Sequence, residues 1–148
     1  MKEIKIRVKR VDGFSGKLPQ YETAGSAGVD LTAHLDAGVT IPPMERALIP
    51  TGIAVEIPGG YEGQVRPRSG LALKHGVTMV NTPGTIDSDY RGEIRVIMVN
   101  LGDSPFEVNP GDRIAQLVVS PVVRLAWDEV EMLTDTDRGE GGFGSSGK

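Results

Sequence analysis

Residues 53–66 read Ile53-Ala54-Val55-Glu56-Ile57-Pro58-Gly59-Gly60-Tyr61-Glu62-Gly63-Gln64-Val65-Arg66. A short β-type run at 53–57, a Pro-Gly-Gly turn signal and a second short strand at 61–66 set the pattern for the chain. Twenty Gly and ten Pro make up about a fifth of the 148 residues, against an average nearer ~12%. The longest segment free of both is 122–138. Interior Pro costs a helix ~3 kcal/mol and interior Gly ~1 kcal/mol. That punctuation argues against a helix bundle, a coiled coil and a doubly wound α/β sheet. The opening alternates Ile4, Ile6 and Val8 with Lys5, Arg7 and Lys9, as a strand does. Further strands are expected at 29–33, 47–49, 77–80, 92–100, 106–108 and 113–120, and one helical turn at 71–75, stopped by Gly76. With no internal repeat and no second domain, the expectation is an all-β sandwich or barrel of short strands with at most one short helix.

The totals close off several chemistries. The chain has no cysteine, which excludes disulfide scaffolds, thiolate zinc sites and cysteine nucleophiles. Two histidines, His34 and His75, are too few for a histidine-rich metal cluster. The longest apolar run, 96–99, is far short of a membrane span, and the N-terminus lacks the apolar core of a signal segment. A cytoplasmic location fits these features. A net charge of −4 speaks against stable nucleic-acid binding but leaves room for a local basic site. Catalysis would have to use carboxylates, hydroxyls, amides, Arg and Lys.

Five short segments carry such groups. Ala27-Gly28-Val29-Asp30-Leu31 places one acid at the start of an apolar strand. Pro67-Arg68-Ser69-Gly70 is either an exposed surface turn or an anion cradle of forked donors, a hydroxyl and approachable backbone. Asn81 to Gly92 lies between strands as a hairpin or wide loop. Its Asp87 and Asp89 read as solvated turn carboxylates or as an acid that orients and deprotonates water, with Tyr90 walling a sugar-sized pocket. Gly111-Asp112-Arg113-Ile114-Ala115-Gln116-Leu117 is good turn chemistry leading into a strand. Arg113 there can pair with a carboxylate, and the Gln116 amide needs partners. The Gly-rich end, 139–147, reads as a flexible linker or as backbone that wraps phosphate, with Arg138 for charge and Phe143 for stacking.

Taken in order, the motifs at 27–31, 67–70, 84–92, 111–117 and 138–147 resemble the five motifs of the trimeric dUTPase family. The likeness runs over essentially the whole chain. It implies a jelly-roll-like fold in residues 1–134 and a flexible arm, 135–148, that closes over the active site. The family hydrolyses dUTP to dUMP and pyrophosphate with Mg²⁺, which limits uracil in DNA and supplies dUMP for thymidylate synthesis. By this resemblance Asp87 activates the attacking water and Tyr90 packs on the deoxyribose. Uracil is read by backbone at Gly84, Thr85, Ile86 and Asp87, by the return strand near Arg95, and by the Asn81 amide. Arg68, Ser69, Gly70 and Gln116 would grip the phosphates, and Asp30 would place the metal through a water. Phe143 would stack on uracil, Arg138 would meet the terminal phosphate, and Gly144 and Ser145 would donate to phosphate. The expected partners are dUTP and two further copies of the chain, in a homotrimer with shared sites.

Three other readings use the same scaffold. A dCTP deaminase would carry a catalytic Glu on the return strand, where this chain has Ile97. A non-catalytic nucleotide-binding module would lack the water-activating acid, which is present as Asp87. A capsid-like jelly roll would not require Arg68, Asp87 and the tail together.

Overall fold

The computed structural model describes residues 3–11 and 13–147. Asp12, and Lys148, which ends the expected arm, lie outside the described residues with Met1 and Lys2. Ten strands and one helix follow in the order β1 (Arg7–Arg10), β2 (Gly28–Thr32), β3 (Val39–Ile41), β4 (Arg46–Glu56), β5 (Tyr61–Arg66), α1 (Ser69–His75), β6 (Val77–Met79), β7 (Gly84–Ile86), β8 (Glu93–Asn100), β9 (Phe106–Val108) and β10 (Arg113–Pro121). They form two four-stranded sheets, β1-β4-β8-β6 and β2-β10-β5-β7, and a two-stranded ribbon, β3-β9. Every pairing is antiparallel. Ile49, Val96 and Met98 of the first sheet and Leu31, Val65 and Leu117 of the second are buried in one apolar cluster. The architecture is therefore a jelly-roll-like sandwich of short strands, not a closed barrel.

Alternation explains the faces. In β8, Ile94, Val96, Met98 and Asn100 are buried while Arg95 is exposed and Ile97 and Val99 are half-buried. Asn100 takes an inward position without cost because all its polar atoms are bonded. Its Nδ2 donates to the carbonyls of Ile41 (2.9 Å) and Ser104 (2.8 Å), and its Oδ1 accepts the Gly102 N–H (2.9 Å).

Four elements differ from expectation. β4 is one 11-residue strand, where the sequence suggests two pieces separated by Pro50. The strand survives because it bulges: its register on β8 shifts between Pro50 and Ala54. Gly52 there takes φ +74°, and Phe14 packs where a Cβ would stand. Pro50 lacks an N–H but still offers its carbonyl to the His34 N–H at 2.8 Å. The helix begins at Ser69, two residues before the expected turn, and ends on Gly76 at φ 66°. β3 and β7, three residues each, are not anticipated. β7 explains the 81–92 segment. β6 and β8 pair with each other, and between them the chain crosses to the other sheet, where β7 pairs with β5.

After β10 the chain leaves the body. The Val122 N–H donates to the Gly60 carbonyl at 2.9 Å, and residues 122–147 then form neither strand nor helix. No described helix is long and apolar enough to cross a membrane.

Candidate active site

The anion-binding half of the site is built from one rung of the second sheet. Gln116 on β10 stands opposite Asp30 on β2 and opposite Arg66 on β5. Sheet pairing thus joins an acid and an amide that are 86 positions apart in sequence (116 minus 30). β5 then runs directly into Pro67 and Arg68. The Gln116 Nε2 donates to the Pro67 carbonyl at 3.2 Å, and the Arg68 Nε donates to Asp30 Oδ1 at 3.1 Å. Ser69 and Gly70 follow as the exposed first residues of α1. Asp30, Arg68, Ser69, Gly70 and Gln116 line one groove of about 330 Å³. The five residues outside the tail that were expected to hold phosphate and metal are therefore brought together.

The groove has members that the sequence reading did not single out. Glu22 and Ser26 also line it. Arg113 Nη1 approaches Asp30 Oδ2 at 3.5 Å and Glu22 Oε1 at 3.9 Å, so its expected carboxylate partner is Asp30, with Glu22 alongside. Arg68 Nη1 also donates to the Arg113 carbonyl at 3.4 Å. Both oxygens of Asp30 thus face guanidinium groups. Glu22 sits in a polar loop that gives no periodic signal, and only the fold brings it to the groove.

The second group runs from the loop after β6, through β7, to the start of β8. Asn81 is exposed beside Gly84, which is buried; a Cβ on Gly84 would stand 3.2 Å from the Asn81 Nδ2. Gly84 is paired with Val65 and Thr85 with Gln64, which fixes the backbone through Ile86. Asp87 and Tyr90 then occupy the ends of one tight turn, with the Tyr90 N–H donating to the Asp87 carbonyl at 3.1 Å. Arg91 staples this turn: its Nη1 donates to the carbonyls of Ser88 (2.7 Å) and Tyr90 (2.9 Å). The Asp87 side chain is exposed. Tyr90 Oη donates to the Glu93 carbonyl at 2.9 Å. Arg95 is exposed, and its Nε donates to the Glu93 carboxylate at 3.3 Å. None of 81–95 lines the Arg68 groove, so within a single chain the two groups do not share one cavity.

The third group is the tail. Arg138 Nε donates to the Gly141 carbonyl at 2.7 Å, which holds a local turn. The Ser145 N–H donates to the Gly142 carbonyl at 3.0 Å. Phe143, at φ 51°, is fully exposed, and Gly144 and Ser145 are exposed. The single chain does not bring the tail to either of the other two groups.

Among the described residues no three His, Cys, Asp or Glu side chains gather to hold a metal. Asp30 already faces two guanidinium groups. This donor set fits a hard cation held mainly by phosphate oxygens and water, as Mg²⁺ is, and does not fit an all-protein cage.

The family model described as dUTPase matches residues 15–147. The deoxyuridine 5'-triphosphate nucleotidohydrolase of Syntrophotalea carbinolica is 59% identical over 147 residues, covering 99% of both chains. That of Fusobacterium nucleatum subsp. nucleatum is 53% identical over the full length of both. Among solved structures, Staphylococcus bacteriophage 80alpha dUTPase with dUPNHPP is similar at 28% identity and a TM-score of 0.87, over 97% of this chain and 99% of that one.

Proposed function

The chain belongs to the dUTPase family, and on that premise we propose how its residues carry out the hydrolysis of dUTP to dUMP and pyrophosphate. The observation that carries the proposal is the division of labour in the fold. Asp30, Arg68, Ser69, Gly70 and Gln116 converge on one groove, while an exposed carboxylate and an aromatic ring stand at the two ends of one stapled turn.

Arg68, Ser69, Gly70 and Gln116 bind the triphosphate. The Asp30 carboxylate fixes the Arg68 guanidinium through its Nε, and the Arg113 carbonyl takes one Nη1 N–H, leaving the Nη2 group for phosphate oxygens. Asp87 accepts a proton from a water whose oxygen attacks the α-phosphorus. The bond from that phosphorus to the bridging oxygen breaks, and pyrophosphate departs with the electron pair. Asp87 suits this role because no described residue bonds its carboxylate, so it is free to orient a water. Asp30, through a water, and the substrate phosphates would hold Mg²⁺, whose charge offsets that of the triphosphate and of the leaving pyrophosphate.

Uracil sits against the backbone of Gly84, Thr85, Ile86 and Asp87, the start of β8 near Arg95, and the Asn81 amide. A polar slot of this kind rejects cytosine, because its reversed donors and acceptors leave groups unpaired. Tyr90 packs on the deoxyribose. Phe143 closes over the base, Arg138 meets the terminal phosphate, and Gly144 and Ser145 donate to phosphate.

The working unit is a homotrimer in which neighbouring chains complete each site, with 135–148 as the closing arm. Two features support this. The three groups of site residues are separate in one chain. The outer face of the first sheet also carries a strip of apolar side chains: Leu48, paired with Ile97, is 54% exposed, and Val80, bonded to the Ile97 carbonyl, is 55% exposed. Ile97 belongs to that strip and has no group that could shuttle protons for deamination.

The test is direct. Incubation of the assembled protein with dUTP and Mg²⁺ should release dUMP and pyrophosphate in equal amounts. A folded, assembled protein that releases no pyrophosphate would overturn the proposal. Ammonia released from dCTP would move the chain to the deaminase class.

A further inference from the structure

The structure assigns a role to Gly92: it is the seat on which the Tyr90 ring rests, and so a position that sets selectivity between deoxyribose and ribose. The inference deepens the reading of Tyr90 as the wall of the sugar pocket and rests on it. Tyr90 does not project freely from its turn. Its side chain folds over the main chain that follows, and its Oη donates to the Glu93 carbonyl three residues on, at 2.9 Å. Residue 92 lies beneath that arch. A Cβ built on Gly92 would stand 2.6 Å from the Tyr90 Cζ and 3.0 Å from Cε2, and would also collide with the Oη. Only a residue without a side chain leaves the ring where it is.

Neither end of the arch is loose. On the Tyr90 side, the turn is closed by the Tyr90 N–H to the Asp87 carbonyl and by Arg91 Nη1 to the carbonyls of Ser88 and Tyr90. Arg91 Nη2 is in turn 3.9 Å from Glu56. On the Glu93 side, the carboxylate is only 6% exposed. It accepts the Gly52 N–H at 2.8 Å and the Arg95 Nε at 3.3 Å, which pins the peptide whose carbonyl holds the Tyr90 hydroxyl. A methyl group at 92 therefore cannot be absorbed by a small backbone shift, and the ring must leave its place. A wall can exclude one hydroxyl only while its position is fixed to well under the size of an oxygen atom, and the seat and tether fix it.

The experiment compares kcat/KM for dUTP with kcat/KM for UTP in Gly92→Ala, Tyr90→Ala and the double variant. Unfolding and assembly are checked for each. Tyr90→Ala and Gly92→Ala should each lower the dUTP-to-UTP preference by roughly tenfold or more, the scale of losing a steric discriminator. In the Tyr90→Ala background, Gly92→Ala should change the preference no further, since the ring it displaces is gone. A preference that collapses in Tyr90→Ala but stays intact in Gly92→Ala overturns the seat and leaves the sugar wall standing. An unchanged preference in Tyr90→Ala removes both. If Gly92→Ala alone does not fold, a double variant that folds supports the collision with the ring. A double variant that also fails to fold shows that something else excludes the Cβ, and overturns the assignment.

Discussion

Removal of residues 135–148 should separate stability from catalysis, because the two draw on different parts of the chain. Of the described residues in this segment only Gly141 and Gly142 are partly covered, and the rest are exposed. None belongs to the apolar core. Deletion therefore removes no core contact, and the denaturation midpoint should move by less than the equivalent of ~0.5 kcal/mol, the ordinary range for surface changes. The proposed closure of this segment, in contrast, would gain contacts that it does not make in this structure. Stacking of the exposed Phe143 ring on a base contributes about 1–3 kcal/mol, and a charge-assisted contact from Arg138 to phosphate about 1.5–3 kcal/mol. Ordering the glycines would oppose this at roughly 1 kcal/mol or more per residue fixed, although the turns at 136–139, 138–141, 142–145 and 144–147 are already hydrogen-bonded in this structure. The balance we expect is about 3 kcal/mol, or ~100-fold in kcat/KM for dUTP. The assay is steady-state pyrophosphate release by full-length and truncated protein, beside thermal unfolding and sedimentation of both. A truncated protein that assembles normally and retains full kcat/KM would refute the closing role. A truncated protein that unfolds early would show that the segment supports the body, contrary to its exposure.

Three further outcomes follow from particular contacts. Asp87→Asn should retain binding of a non-hydrolysable dUTP analogue within about threefold but lose at least ~100-fold in kcat, the scale of a general base; unchanged turnover removes Asp87 as the base. Asn100→Ala removes the amide that donates to the carbonyls of buried Ile41 and exposed Ser104 and accepts the half-buried Gly102 N–H. With about 1–3 kcal/mol for each group left buried and unpaired, chemical denaturation should show a loss of about 2 kcal/mol or more, and a loss below ~1 kcal/mol would mean that water replaces the amide. Leu48→Glu places a charge in the exposed apolar strip and should yield smaller species in sedimentation together with lost activity. A fully assembled, active variant would locate the subunit contact elsewhere.

Much of the fold was legible because alternation and turn chemistry are local. β5 and β9 begin and end where their residues suggest, and the helix is as short as Gly and Pro require. What the chain did not disclose depends on distant partners. β4 continues through Pro50 because β8 pairs with it on both sides of a bulge. Gly84-Thr85-Ile86 is a strand only because β5 lies beside it. The site divides in the same way. The chemical character of Arg68, Asp87 and Gln116 is visible in their motifs, whereas the Asp30–Gln116 rung is a product of sheet order. Arg91 could be read as an exposed base from sequence alone; its grip on two carbonyls of its own turn is a property of the folded loop.

The departure of the chain from its body at the Val122 to Gly60 hydrogen bond has a consequence for mixed populations. In the proposed assembly, the chain that supplies Asp87 to a site and the chain that supplies its closing segment need not be the same molecule. Two inactive proteins, one lacking the arm and one carrying Asp87→Asn, could then restore some working sites when dissociated and reassociated together. A defective copy would likewise impair intact neighbours. The number of working sites would follow the statistics of mixing and not the simple fraction of intact chains. Inheritance of activity would belong to the assembly.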